Sequence, residues 1–268
     1  MKKEIFCLLT DFGYKDMYVG QMKCVIYQKI SQAKIIDISH DILPHNILQG
    51  SFFLLSSWNY LPENSITIAV VDPGVGSSRD ILILMSGQKI VIAPDNGILY
   101  PLIKKYNLDP IIYVLNWERF VHVVKQRKIS STFHGRDVFA PLATYIALGN
   151  DIEKVSKKIS IEDINTIHFP EIKIDGNKID LKIIHIDRFG NCVTTIEEKF
   201  FDIFSKKKIT IMPFNKTLRM VKTYNDLKKG EIGMLVGSQG YLEISLWKDS
   251  FAKKCNVQIG DKFYLVIE

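Results

Sequence analysis

Three aspartates each follow a short apolar run and open a glycine-containing turn. Asp11 follows residues 5–10 in Asp11-Phe12-Gly13, Asp72 follows 65–71 in Asp72-Pro73-Gly74-Val75-Gly76, and Asp95 follows 90–94 in Asp95-Asn96-Gly97. An ionised carboxylate only accepts hydrogen bonds, so several facing one ligand suit a donor-rich group such as the hydroxyl pair of a ribose. A fourth segment, Ser131-Thr132-Phe133-His134-Gly135-Arg136-Asp137, carries a histidine followed directly by glycine. The expectation is an exposed His134, with Asp137 capping the apolar helix that follows. In company with Asp72 and Arg79, His134 reads as a functional rather than a packed histidine.

Other patterns carry less. Asp11-Phe12-Gly13 matches the metal-binding tripeptide of kinases, but no Gly-rich loop or His-Arg-Asp loop precedes it. Gly74-Val75-Gly76 lacks the third glycine and opening helix of a dinucleotide fingerprint, so a tight turn accounts for it. The remaining histidines, His40, His45, His122, His168 and His185, have no metal-ligand spacing, and Cys7, Cys24, Cys192 and Cys255 form no Cys-x-x-Cys pair. Neither a metal nor a cofactor is expected. In the second half, Asp187-Arg188-Phe189-Gly190-Asn191 and Ser238-Gln239-Gly240-Tyr241 each read equally well as a polar β-turn or as part of a site.

The elements that must position these residues show in the apolar pattern. Ile/Val/Leu-rich runs at 5–10, 33–38, 65–71, 81–85, 89–93 and 111–115 have the continuous apolar character of strands covered on both faces. Helical spacing over 17–29, 47–60 and 137–148 lies between several of them, which predicts an α/β layer domain with a mainly parallel sheet over residues 1–165. In such a sheet, ligands bind beyond the carboxyl ends of the strands, where the three aspartates would fall. Residues 166–268 change texture. Short strands at 172–174, 179–186, 193–196, 208–212, 232–236, 241–246 and 262–266, with a hairpin turn at Asp175-Gly176-Asn177, predict a β-barrel domain. The boundary is expected at 160–170.

Composition narrows the class. The 268 residues are 47% hydrophobic and 24% charged, which excludes disorder as the main state. The net charge of +6 permits an anionic partner, but its densest clusters, Lys206-Lys207-Lys208, Lys228-Lys229 and Lys253-Lys254, are short and lack interleaved aromatics, so no nucleic-acid surface is expected. The apolar stretch at 5–10 is too short for a signal sequence or a membrane span, and the expectation is a cytoplasmic protein with no membrane partner.

The motifs in order are Thr10-Asp11-Phe12-Gly13, Val71-Asp72-Pro73-Gly74-Val75-Gly76 with Arg79, Ala93-Pro94-Asp95-Asn96-Gly97, Phe133-His134-Gly135-Arg136-Asp137 and Asp187-Arg188-Phe189-Gly190-Asn191. Together they resemble the S-adenosyl-L-methionine hydroxide adenosyltransferase family, a group of S-adenosylmethionine hydrolases related to fluorinating and chlorinating enzymes. The resemblance covers essentially the whole chain. It implies an N-terminal α/β domain, a C-terminal β-barrel, and a homotrimer with active sites between the N-terminal domain of one subunit and the C-terminal domain of the next. It places a water-activating set on Asp72, Arg79 and His134 and ribose binding on Asp11, with Asp95 and Asn96 among the substrate contacts. Adenine and methionine contacts fall on Asp187, Phe189, Asn191, Ser238, Gln239, Tyr241 and Glu243, and a planar residue beside adenine falls near His45. Where the halogenating relatives have an arginine near the methionine carboxylate, this chain has Gln239, and they lack the histidine found here at His134.

The implied reaction displaces methionine from the ribose 5′ carbon by hydroxide, giving adenosine. Its leaving group is a neutral thioether, so the difficult part is the nucleophile. A cationic Arg79 beside a water favours its deprotonated form, and His134 orients it or accepts its proton. The rival readings are a chloride-dependent halogenase, a non-catalytic S-adenosylmethionine or adenosine binding protein, and a nucleic-acid-binding barrel.

Overall fold

A computed structural model of the chain describes residues 4–125, 128–204 and 207–268. Lys206 of the first basic cluster lies outside the described residues. The chain divides into two compact units, Met1–His168 and Phe169–Glu268.

The first unit is built on strands β1 (Ile5–Thr10), β2 (Lys34–Ser39), β3 (Ser65–Val70), β4 (Ile81–Ser86), β5 (Lys89–Pro94), β6 (Ile111–Leu115) and β7 (Ser156–Ile159), in the sheet order β2-β1-β3-β5-β4-β6-β7. β2, β1, β3 and β5 are parallel neighbours. β4 runs against β5 and β6, and β7 runs against β6, so β6 shares the direction of the parallel set. The expected mainly parallel sheet is therefore present, with β4 and β7 reversed. The continuous apolar runs are explained by cover on both faces: every residue of β3 is buried. The helices are α1 (Tyr18–Lys29), α2 (Ile47–Ser57), α3 (Tyr100–Lys105), α4 (Trp117–Val124) and α5 (Ala140–Ala147). Met22 and Ile26 of α1 and Leu142 and Ile146 of α5 join Phe6, Leu8, Ile68 and Ile92 in one apolar cluster.

Several elements depart from the sequence expectation. The helix expected over 47–60 ends at Ser57 and tightens into a 3-10 turn, Trp58–Tyr60. The helix expected over 137–148 starts earlier, as a π-helical turn at Gly135–Phe139 that runs on into α5. β7, with the sequence Ser-Lys-Lys-Ile, shows no apolar run because its two lysines are exposed at the sheet edge. α3 and α4 are short enough that their helical period barely repeats.

In the second unit, β8 (Ile174–Asp175) forms a hairpin with β9 (Lys178–Ile186). β10 (Cys192–Glu197), β11 (Ile209–Met212), β12 (Lys216–Met220), β13 (Ile232–Val236), β14 (Tyr241–Leu246) and β15 (Lys262–Ile267) follow, with a short helix α6 (Phe251–Cys255). The sheet order is β10-β14-β13-β12-β11-β15-β9, and β9 pairs back with β10, which closes a seven-stranded barrel and leaves β8 as an appended strand. Closure removes the unpaired edges of an open sheet. Ile183, Ile196, Ile211, Leu242, Ile244 and Leu265 meet in its interior with Phe204 and Phe251. Among the described residues no helix is long and apolar enough to cross a membrane.

Candidate active site

Because β1, β3 and β5 are adjacent and parallel, the residues that follow them share one edge of the sheet. Asp11, Asp72 and Asp95 therefore lie at the carboxyl ends of neighbouring strands, as the sequence pattern predicted. Their surroundings differ.

Asp72 is met by Arg79, which the intervening loop folds back over it. The Val75 amide donates to the Asp72 carbonyl, the Ser77 amide and hydroxyl both donate to the Gly74 carbonyl, and the Arg79 amide donates to the Ser77 hydroxyl. Gly76 has φ +79°, and a Cβ there would stand 2.3 Å from the Ser131 carbonyl oxygen, so only glycine lets this loop rest on the segment that leads to His134. Arg79 Nε donates to both Asp72 oxygens at 3.0 and 2.9 Å, and Nη2 also donates to Asp72 Oδ2. The same Nη2 lies 2.9 Å from His134 Nδ1.

This contact fixes the state of the imidazole. A guanidinium nitrogen only donates, so His134 Nδ1 accepts and the neutral ring carries its proton on Nε2. Burial, followed by the positive charge of Arg79, holds His134 below its usual range, against the opposing pull of Asp72 and Asp137. Asp72 and Arg79 are themselves withdrawn from water, with side chains 3% and 9% exposed, yet Arg79 Nη1 is buried with no hydrogen-bond partner among the described residues.

Two expectations for this segment are corrected. His134 is buried, at 6% exposure, with Arg79 and the Trp117 ring against its imidazole, and the adjacent glycine does not leave it uncovered. A Cβ at Gly135 would lie 3.1 Å from Met22 Sδ and from ring carbons of Phe12 and Phe133. Asp137 does not cap a helix. It lies within the π-turn, where its carboxylate accepts from the Ser130 amide at 2.8 Å and from Arg136 Nε at 2.6 Å. A π-turn widens the helical backbone by one residue and is often found at functional positions; here it begins directly after His134. The Trp117 ring lies 5.3 Å from the imidazole.

Asp11 accepts from the His45 amide at 2.8 Å, and His45 takes φ 67°. Asp95 is buried and engaged from within the fold, accepting from the Asn165 amide at 2.8 Å and from its side-chain nitrogen at 3.1 Å. Burial raises its carboxyl above the ordinary range, and the Asn165 amide opposes that shift. Asn96 donates to the Val71 carbonyl at 2.8 Å. The side chains of Asp95 and Asn96 thus tie the segment after β5 to residue 165 and to the carbonyl of Val71, the residue before Asp72.

The barrel unit holds a cleft of about 600 Å³ lined by Asp187, Phe189, Asn191, Tyr224, Trp247 and Ser250, among others. The turn between β9 and β10 presents the first three of these. Asp187 accepts from the Phe189 and Asn191 amides at 2.9 and 2.8 Å and from Asn191 Nδ2 at 2.8 Å, which leaves Phe189 75% exposed. Glu243 is buried on β14 and accepts from the Tyr224 hydroxyl at 2.6 Å. Burial raises its carboxyl above the usual range, and the Asp187 charge adds to this while the Tyr224 bond opposes it. Ser238 and Gln239 lie exposed in the β13–β14 turn, and Tyr241 is buried with its ring 6.4 Å from Phe169. These three do not line the cleft.

Tyr224 and Trp247 are lining residues that sequence reasoning missed. The signal for Tyr224 was present: Thr223 and Asp226 form a capping box around the turn Tyr224–Asp226, marking an ordered turn in a polar stretch. Among the described residues, no three or more His, Cys, Asp or Glu side chains are grouped to hold a metal ion.

A mainly parallel α/β unit with a caged Arg–His pair at its strand ends, followed by a closed barrel with an aromatic-lined cleft, defines a two-domain class. Residues 6–156 match the SAM hydroxide adenosyltransferase N-terminal domain and residues 181–264 its C-terminal domain. The chain belongs to this family. It is 36% identical over 275 residues to an (R)-S-adenosyl-L-methionine hydrolase of Methanocaldococcus jannaschii, covering 98% of this chain and 96% of that protein. A protein named as a fluorinase, from Nocardia brasiliensis, is 24% identical, covering 97% of this chain and 95% of its own length. A crystal structure of an uncharacterized conserved protein from Thermotoga maritima superposes with a TM-score of 0.86 at 28% identity, over 97% of this chain and 99% of that one.

Proposed function

We propose that the protein hydrolyses S-adenosyl-L-methionine to adenosine and L-methionine by attack of hydroxide on the ribose 5′ carbon. The names of its relatives extend this to the (R) epimer at sulfur. The observation that carries the proposal is the Arg79 guanidinium, gripped along one edge by Asp72 and His134, with Nη1 buried and unpartnered among the described residues. A buried donor left without a partner costs roughly 1–3 kcal/mol, so a site that keeps one is suited to a ligand that accepts from it. A hydroxide is small, anionic and an acceptor.

His134 works here as a holder of Arg79. Its one lone-pair nitrogen already accepts from that residue, so taking the water's proton would break the cage. The cation instead lowers the pKa of the bound water, and the proton leaves to solvent. The hydroxide oxygen then forms the C5′–O bond with its own lone pair, the C5′–S bond breaks toward sulfur, and the sulfonium becomes a neutral thioether. Opposite charges cancel in this step, so a water-poor site favours it.

Asp11 is assigned to the ribose hydroxyls, and Asp187, Phe189 and Asn191 to the adenine and methionine ends, with Ser238, Gln239, Tyr241 and Glu243 contributing around them. Asp95 and Asn96 are assigned to substrate contacts at the same edge of the sheet. Water activation belongs to the first unit and the aromatic cleft to the second, which fits a homotrimer whose sites are completed by a neighbouring subunit; the protein is assigned to the cytoplasm.

Incubation with S-adenosyl-L-methionine in ¹⁸O water, followed by mass analysis, tests the reaction. Labelled adenosine with methionine is expected. Unlabelled adenosine, 5′-chloroadenosine formed with chloride, or no product would overturn it. Asp11→Ala is expected to weaken adenosine binding about 10- to 100-fold, the scale of hydrogen bonds to a charged group. Calorimetry giving an unchanged Kd would remove Asp11 from the ribose site.

A further inference from the structure

Near the site is a second buried histidine that the proposed chemistry does not use. His40 is 1% exposed, just past the end of β2, and its ring joins elements on both sides. Nδ1 is 2.7 Å from the hydroxyl of Thr10, the last residue of β1, and Nε2 is 3.2 Å from Asp37 Oδ1 on β2, close but not aligned as a hydrogen bond. A carboxylate beside Nε2 requires a proton there, so Nδ1 is the acceptor and the Thr10 hydroxyl donates to it. With its proton so directed, the same hydroxyl accepts from the Phe12 amide at 3.3 Å. Burial, the largest influence on His40, keeps the ring toward its neutral form.

The loop between β1 and α1 is tied to this ring at further points. The Gly13 amide donates to the His40 carbonyl at 2.7 Å, the Tyr14 ring meets the imidazole edge-on at 5.0 Å, and the Tyr14 hydroxyl donates to Asp37 Oδ2 at 3.1 Å. Lys23 of α1 donates to the same Asp37 oxygen at 2.6 Å, which fixes the far end of the relay. The residue enclosed by these ties is Asp11, between Thr10 and Phe12.

We propose that His40 is a positioning residue that sets nucleoside affinity by fixing, through Thr10, the loop that carries Asp11. The inference rests on the assignment of Asp11 to the ribose. A hydrogen-bonded relay behind a ligand-binding carboxylate restricts its direction, and binding is weakened when that restriction is lost. The effect is expected in binding, because Asp11 sits within this loop, whereas Asp72, Arg79 and His134 lie on other strands and loops. The loop approaches them through Phe12, which packs against Phe133 and Gly135.

The test is a double-mutant cycle read by adenosine calorimetry and by S-adenosyl-L-methionine turnover. His40→Ala is expected to raise the adenosine Kd and the KM about 10-fold while kcat stays within about 3-fold. His40→Asn, whose side-chain carbonyl can still accept from Thr10, is expected to recover most of the affinity. Thr10→Val keeps the shape of the strand and breaks the same link, so it carries the test if His40→Ala does not fold; its expected rise in Kd is at least 3-fold. In an Asp11→Ala background, neither His40→Ala nor Thr10→Val should add more than about 2-fold, since effects through one group are not additive. Additive effects, or a fall in kcat at constant KM, would overturn the role of His40. A wild-type protein that neither binds adenosine nor turns over the substrate would instead overturn the functional reading beneath it.

Discussion

Replacing Arg79 with alanine is expected to lower kcat for S-adenosyl-L-methionine hydrolysis by about 10²- to 10³-fold, the range seen when one preorganised donor is removed from a developing or bound anion. The adenosine Kd should change little, because the guanidinium is assigned to the nucleophile and not to the nucleoside. Arg79→Ala also leaves the Asp72 carboxylate, 3% exposed, without its counter-ion. Breaking a buried pair on one side typically costs about 3–5 kcal/mol, so a lower Tm is expected as well. Arg79→Lys separates the two effects. Lysine retains a charge near Asp72 but offers a single ammonium point, which cannot grip Asp72 through two nitrogens, meet His134 and leave a further N–H pair for hydroxide. The expected result is a Tm nearer to wild type with turnover still reduced by about 10²-fold. A folded Arg79→Lys protein with near-normal turnover would show that a positive charge alone suffices and that the fork of the guanidinium plays no part.

The sequence made the positions of these residues legible but not their state. Asp11, Asp72 and Asp95 announced themselves because each ends an apolar run, and runs covered on both faces are the signature of a parallel core. Adjacency in the sheet then places them on one edge. Arg79 lies only seven positions after Asp72, but what the other two carboxylates do depends on partners far along the chain: His45 for Asp11 and Asn165 for Asp95. No local pattern encodes those pairings. His134 was placed correctly in the chain and wrongly in its environment. A glycine neighbour suggests a gap, whereas in the structure it is the space that Met22, Phe12 and Phe133 fill.

The barrel shows the same division. Its strands were legible where the apolar alternation is strong, as in β14, and missed in β12, where only Leu218 of Lys216–Met220 is buried. The Asp187 motif reads from sequence as either a turn or a site, and the structure shows an ordered turn that lines the cleft. The carboxylate that closes the turn on the amides of Phe189 and Asn191 is the same feature that thrusts the Phe189 ring into solvent at the cleft. Glu243 entered through its likeness to the family. Burial raises its carboxyl most, and Tyr224 and Asp187, which pull in opposite directions, lie 19 and 56 positions away in the chain.

The pH dependence of turnover should follow His134, and its sign is set by which nitrogen faces Arg79. The neutral ring accepts from Arg79 Nη2 through Nδ1. Protonation would turn a donor and a like charge toward the guanidinium, release that edge of Arg79, and loosen the hold on the hydroxide. Turnover is therefore expected to fall on the acid side, with an apparent pKa below the ordinary imidazole value of about 6.5, since burial and Arg79 both lower it. Stability has the same sign. Between the folded pKa and about 6.5 the unfolded chain binds the extra proton, so the contribution of His134 is complete above that window and is lost as pH falls through it. His134→Ala should reduce kcat about 10²-fold, by loosening the preorganised Arg79 donors, and abolish this acid limb. His134→Asn can present a carbonyl to Arg79 without titrating. It is expected to retain more activity than His134→Ala and to give a flat profile across the same range. An acid limb that persists unchanged in His134→Asn would assign the titration to another group, and wild-type turnover in His134→Ala would separate the histidine from the Arg79 cage altogether.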